Sequence, residues 1–172
     1  MKRDEKLYNV LFPLWFLLLV PISWLIVIPA NFVIDLLALL LAMKLLRMPD
    51  IGKNLKSAVL KSWLAGFAAD LIGGGAMFLS VLAGEFLPDP VRSWVYHNIT
   101  EAVMVNPFSS VGGFLWTAVC VALAGGIIYL LNLKFCLKKT TLSLAQKRKL
   151  ALAMALVTAP YLFFLPTTLL YR

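Results

Sequence analysis

Acidic residues are scarce in this chain. Eight Asp and Glu stand against sixteen Lys and Arg among 172 residues, and there is one histidine, His97. A single imidazole leaves one candidate for histidine general-base chemistry and excludes a multi-histidine metal centre. The two cysteines, Cys120 and Cys136, lie on what reads as one helix, about 24 Å apart at the usual rise, too far to bridge. No CxxC occurs, which argues against thiol–disulfide exchange and structural zinc and leaves both thiols as packing residues. Nucleophile motifs, a P-loop and a dinucleotide-binding fingerprint are lacking too. Gly112-Gly113 and Gly125-Gly126 are isolated pairs inside an apolar run and fit helix packing. The expectation is a chain with no metal, no cofactor and no catalytic residues. With no internal repeat or low-complexity stretch, residues 1–172 read as a single membrane-embedded helical domain.

Apolar sequence is what the chain has in abundance. It is 62% hydrophobic, where soluble domains run at about 45–50%. The surplus is expected to face lipid. The net charge of +8 is concentrated. Fourteen of the sixteen basic residues form three groups: Lys2, Arg3, Lys6; Lys44, Arg47, Lys53, Lys56, Lys61; and Lys134, Lys138, Lys139, Lys147, Arg148, Lys149. Cationic loops stay on the cytoplasmic side during insertion, so the groups mark one face of a bilayer and contact its anionic headgroups. No basic stretch is interleaved with stacking aromatics, which argues against nucleic acid as a partner.

These signals predict an all-α, polytopic membrane protein with five spans at 9–28, 31–46, 62–84, 108–133 and 150–170. Residues 7–43 are almost unbroken apolar sequence, about 55 Å as one helix against a hydrocarbon core of about 30 Å. Pro29-Ala30-Asn31 is the expected break, with Asn31 capping the second span. The run is longer than a signal-peptide core, so the segment is expected to be retained. Pro49-Asp50 and Gly52 mark a loop over 47–61. Asp89-Pro90 predicts the start of an external amphipathic helix over 90–104, lying on the membrane interface and closed by Asn106-Pro107. Ser143 and Gln146 form a capping box ahead of the last span, in which Pro160 and Pro166 are expected to bend the outer half. The reading places the protein in the cell membrane, amino terminus cytoplasmic and carboxyl terminus external.

Asp70 is the sharpest functional signal. An ionisable residue near the middle of a span costs about 2.5–3.5 kcal/mol to insert, so it is expected to face helices or water. Gly73-Gly74-Gly75 follow it, and three glycines weaken a helix, so local unwinding with exposed carbonyls is expected there, as in a Na⁺ or H⁺ site. Asn31 and Asp35 share a helix face at the expected outer end of the second span, where with Glu85 they would gather cations. Gly66 together with the ladder Ala118, Ala122, Gly126 reads as helix-packing surface. His97 and Glu101 sit one helical turn apart outside the membrane; two ligands do not make a metal site. Asn98-Ile99-Thr100 matches a glycosylation sequon within the expected interfacial helix.

Two functions follow. The favoured one is a non-catalytic membrane subunit or scaffold, a homo-oligomer or a partner to another membrane subunit, docking through its small-residue faces. The alternative is an oligomeric small transporter or channel component moving H⁺ or a monovalent cation past Asp70. An external lipid-modifying role for His97 and Glu101 is a weaker third.

Overall fold

The computed structural model describes residues 14–169. The first basic group, the start of the first expected span and the last residues of the fifth lie outside the described residues. Helices α1 (Leu14–Leu17), α2 (Trp24–Leu45), α3 (Ile51–Phe86), α4 (Val91–Val95), α5 (Glu101–Val105), α6 (Val111–Leu131) and α7 (Leu144–Thr158) are joined by short 3₁₀ and π segments, and no strand occurs among the described residues. Among the described residues, three stretches are long and apolar enough to cross a membrane: Pro21–Leu45, Ile51–Gly84 and Val111–Cys136.

The first break falls earlier than predicted. Helix α2 runs unbroken through Pro29 and Asn31, and the helix is interrupted over residues 18–23 instead. Breaking a helix among apolar neighbours leaves carbonyls that need donors. Here they are supplied locally. Ser23 Oγ donates to the carbonyls of Leu17 and Val20, and Trp24 Nε1 donates to Leu18 at 2.9 Å. At Pro29 the chain loses one helical hydrogen bond, a loss that packed membrane helices tolerate. Asn31 is therefore an interior helical residue, not a cap.

Helix α3 has 36 residues, about 54 Å, and begins eleven residues before the predicted span. Residues 51–61 are its first turns, not a loop. Leu55, Ala58, Val59 and Ser62 recur at helical spacing, and Ala58 and Ser62 are fully buried. The reversal itself is confined to residues 46–50, where Arg47 and Asp50 adopt positive φ. Asn54 ties this turn to the next. Its amide donates to Pro49 O at 2.9 Å, and its Oδ1 accepts from the backbone N–H and hydroxyl of Thr141. The second and third basic groups thus gather at one end of the bundle.

At the other end, α4, a π turn (Tyr96–Thr100) and α5 form a nearly continuous helical arm. Asp89 does not cap it. The arm is anchored to the bundle: Thr100 Oγ1 donates to Ser80 O at 2.8 Å, and Trp15 Nε1 donates to Val103 O at 3.1 Å. The sequon threonine is consumed in this anchor. Ser110 caps α6, and the Ser143–Gln146 capping box opens α7 as the sequence predicts. Pro160 ends α7 at Thr158 instead of bending it, and 3₁₀ turns carry the chain on. Thr167 Oγ1 reaches Met104 O at 3.0 Å, so residues 144–169 run from the basic end to the opposite end, only partly as α-helix.

Large apolar side chains cover much of the outside, and several polar side chains are buried. Leu37, Leu41, Leu64, Ile72, Leu115, Val119 and Leu156 are among many exposed apolar residues, while Asp35, Asn54, Ser62, Ser80, Thr117 and Asn132 are buried. A soluble protein does not present such a continuous apolar exterior, whereas lipid requires one. Some of the buried polar groups pair between helices, as where Ser62 Oγ donates to Asn132 Oδ1 at 2.7 Å across the α3 and α6 segments. The chain is a membrane protein.

Candidate functional site

Two apolar clusters fill the bundle. One, towards the basic end, includes Leu39, Met43, Ile128, Leu150 and Met154; the other includes Trp15, Met77, Val103, Cys120 and Phe163. On α2 the first cluster holds Ala38 to Met43 and the second holds Val27. Asn31 and Asp35 fall between them, one turn apart on one face.

Helix α3 presents a matching pair, Gly66 and Asp70, also one turn apart. Asn31 Nδ2 donates to Asp70 Oδ2 at 3.3 Å. Asp35 sits against Gly66, where an added Cβ would lie 2.9 Å from Asp35 Oδ2. Glycine is needed at position 66 because the Asp35 carboxylate occupies the space a side chain would take. Asp35 and Asp70 thus each lie at the α2–α3 contact, one turn from a residue that touches the other helix. Asp35 is 5% exposed and accepts no hydrogen bond from any described residue. Asp70 Oδ1 is buried without a partner. No Lys or Arg pairs with either group among the described residues.

Depth follows from the helix bounds. Asp35 stands ten residues before the end of α2, about 15 Å along the helix axis, half the thickness of a hydrocarbon core. It is therefore a mid-span residue, not one at an outer end. With a three-atom side chain it cannot reach either interface, unlike a snorkelling lysine. Two carboxylates held together away from water repel each other and lose hydration, and both losses are relieved by one positive charge shared between them. Asn31 adds an amide whose oxygen remains available as a neutral acceptor.

The glycine triplet does not unwind. Residues 73–75 are regular α-helix, and no glycine has positive φ. Gly73 meets Phe163 and Ala124, Gly74 meets Trp15 and Leu18, and Gly75 faces open space. The first two are sites of close helix approach on different sides of α3. Glycine composition alone does not distinguish that from a broken helix; the apolar residues on both sides of the triplet keep the helix going. The ladder Ala118, Ala122, Gly126 faces outward from the bundle, with Ala122 and Gly126 exposed and nothing within 4 Å of Gly126. Gly125 is the residue that approaches α7, at Ala155 and Ala159. Cys120 and Cys136 are buried and free.

Neither a family model, a curated protein nor a solved structure matches the chain. Geometry alone thus bears on function. His97 Nδ1 lies 3.5 Å from Glu101 Oε2, both side chains well exposed, and no third metal-ligating side chain joins them among the described residues. Glu85 lies near the end of α3, fifteen residues beyond Asp70 along that helix. Sequence reading placed Asp35 and Asp70 in separate sites because the predicted turn at Asn31 put them at different depths. The spacing that joins them, Asn31 to Asp35 on one helix and Gly66 to Asp70 on the other, is visible in sequence once α2 is taken as unbroken.

Proposed function

We propose that the protein moves a proton or a monovalent cation across the membrane, with Asp35 and Asp70 as the carrier pair. One observation carries the reading: two mid-span carboxylates, Asp35 and Asp70, lie on the packed helices α2 and α3 with no basic partner among the described residues, and Asp70 Oδ1 is buried without a hydrogen bond. Intramembrane carboxylates cost several kcal/mol and mark ion pathways and proton relays when they face a bundle interior. A scaffold requires neither. Asn31 orients Asp70, and Gly66 admits Asp35. In this reading residues 144–169 and the stretch ahead of Trp24 make two further crossings beside the three long helices, and the basic loops face the cytoplasm across a cell membrane.

Purified protein in liposomes under a pH, Na⁺ or K⁺ gradient tests the proposal. Flux is expected for the unaltered protein, with loss of at least tenfold in Asp35→Asn and in Asp70→Asn and none in Asp50→Asn at the basic end, a tenfold change corresponding to about 1.4 kcal/mol. Flux that survives both core substitutions overturns it. A second reading, a membrane subunit that docks partner helices, is favoured by the outward ladder at Ala122 and Gly126. It gains if the protein is always purified with a second polypeptide and passes no ion.

A further inference from the structure

Beside the carboxylate pair, and independent of it, a groove runs along the outside of α6 and α7. It has a volume of about 490 Å³, a floor of Ala118, Ala122 and Gly126 and a wall of Leu152 and Leu156. Its lining is almost wholly apolar. From Tyr129 to Ala118 it extends eleven residues of α6, about 16 Å, the depth of one leaflet of a hydrocarbon core of about 30 Å. At the basic end it adjoins a second hollow of about 250 Å³ lined by Tyr129, Leu152, Arg148 and Lys149. Tyr129 and Leu152 line both hollows, which lie next to each other along α6 and α7. Arg148 and Lys149 are exposed and have no acidic partner among the described residues, and the Tyr129 hydroxyl has no hydrogen-bond partner there.

We infer that these hollows form a binding site for one anionic phospholipid of the basic-side leaflet. Its phosphate sits on Arg148 and Lys149 and one acyl chain lies in the groove over Ala122 and Gly126. Charge and length both select this occupant. A guanidinium and an ammonium at the membrane surface complement a phosphodiester, and Arg offers it a two-pronged donor. The slot is one leaflet deep and has small residues where a chain must lie flat. A docked helix from a second copy would use the small-residue floor but leave the two cations without a counter-charge, and free phosphate would use the cations but leave the groove open.

The test uses the full-length protein in neutral detergent, with phosphatidylglycerol and phosphatidylcholine of identical acyl chains titrated separately and bound lipid counted by native mass spectrometry. One phosphatidylglycerol is expected to bind in preference to phosphatidylcholine. The Arg148→Gln/Lys149→Gln pair is expected to weaken it about thirtyfold, each basic residue near an anionic headgroup being worth roughly fivefold. The control pair Lys53→Gln/Lys56→Gln is expected to change it less than twofold. Ala122→Leu/Gly126→Leu fills an exposed slot without touching the core and is expected to abolish binding while the monomer mass and helical content persist. The assignment fails if the control pair weakens binding as much as the Arg148 pair, if the two lipids bind equally, or if glycerol phosphate competes as well as the whole lipid. It also fails if the groove-filling variant keeps its lipid and instead disrupts an oligomer.

Discussion

Gly66 sets how closely the two acidic faces approach, and the cost of altering it is specific. A methyl there would lie 2.9 Å from Asp35 Oδ2, well inside van der Waals contact. Gly66→Ala is expected to destabilise the fold by about 1–3 kcal/mol, the usual range for overpacking, read as a lowered midpoint of thermal unfolding in detergent. In an Asp35→Ala background, where the obstructing carboxylate is gone, most of that penalty should vanish. An equal penalty in both backgrounds would mean that Asp35 does not occupy the notch. Asn31 and Asn132 illustrate a related point. Each is a single amide in an apolar helix, and each donates across or along the bundle, Asn31 to Asp70 and Asn132 to Ile128 O at 2.9 Å. A lone Asn among leucines reads as a helix cap or a break only if the helix is already thought to end there.

At the scale of helices, the glycine triplet separates packing from unwinding. Gly73 is closed in by Phe163 and Ala124, whereas Gly75 meets nothing. Gly75→Leu is expected to leave expression and thermal stability within about 0.5 kcal/mol of the unaltered protein, the scale of ordinary surface substitutions. Gly73→Leu should lose the folded protein. Equal damage at both positions would point to backbone conformation, not contact, as the reason for glycine. Much of the helical layout was legible: the Ser143–Gln146 capping box, the stop at Asn106-Pro107, the basic loops at one end and Asp70 turned towards its neighbours. What misled was punctuation. Proline at 29 predicts a break because it removes a helical hydrogen bond, yet the helix is interrupted just ahead of Pro21, where Ser23 and Trp24 satisfy the released carbonyls. Lys53, Lys56 and Lys61 made residues 51–61 look like a loop, although Leu55, Ala58, Val59 and Ser62 already carried the helical period. The carboxylate pair was hidden by the first of these errors, since it forms only if Asn31 lies inside α2.

For the molecule as a whole, the packing brings the turn at 46–50 beside the turn at 137–143 through Asn54 and Thr141. Single cysteines replacing Lys53 and Lys139 are therefore expected to react with an impermeant maleimide from the same side of sealed vesicles, and one replacing His97 from the other, on a background with Cys120 and Cys136 changed to alanine. A cysteine added at the amino terminus should follow Lys139. Labelling of Lys53 and Lys139 from opposite sides would break the antiparallel bundle described here. The claim on which the functional account rests is narrower: at mid-membrane, Asp35 and Asp70 hold one positive charge between them. In vesicles free of alkali cations that charge is a proton, and an apolar carbodiimide dissolved in the bilayer reacts with a carboxyl only in its neutral form. Peptide mass spectrometry after such treatment should find one adduct per chain, shared between Asp35 and Asp70, with Asp50 and Asp89 unmodified. Adducts on both core carboxylates of the same chain, or on neither, would contradict the account.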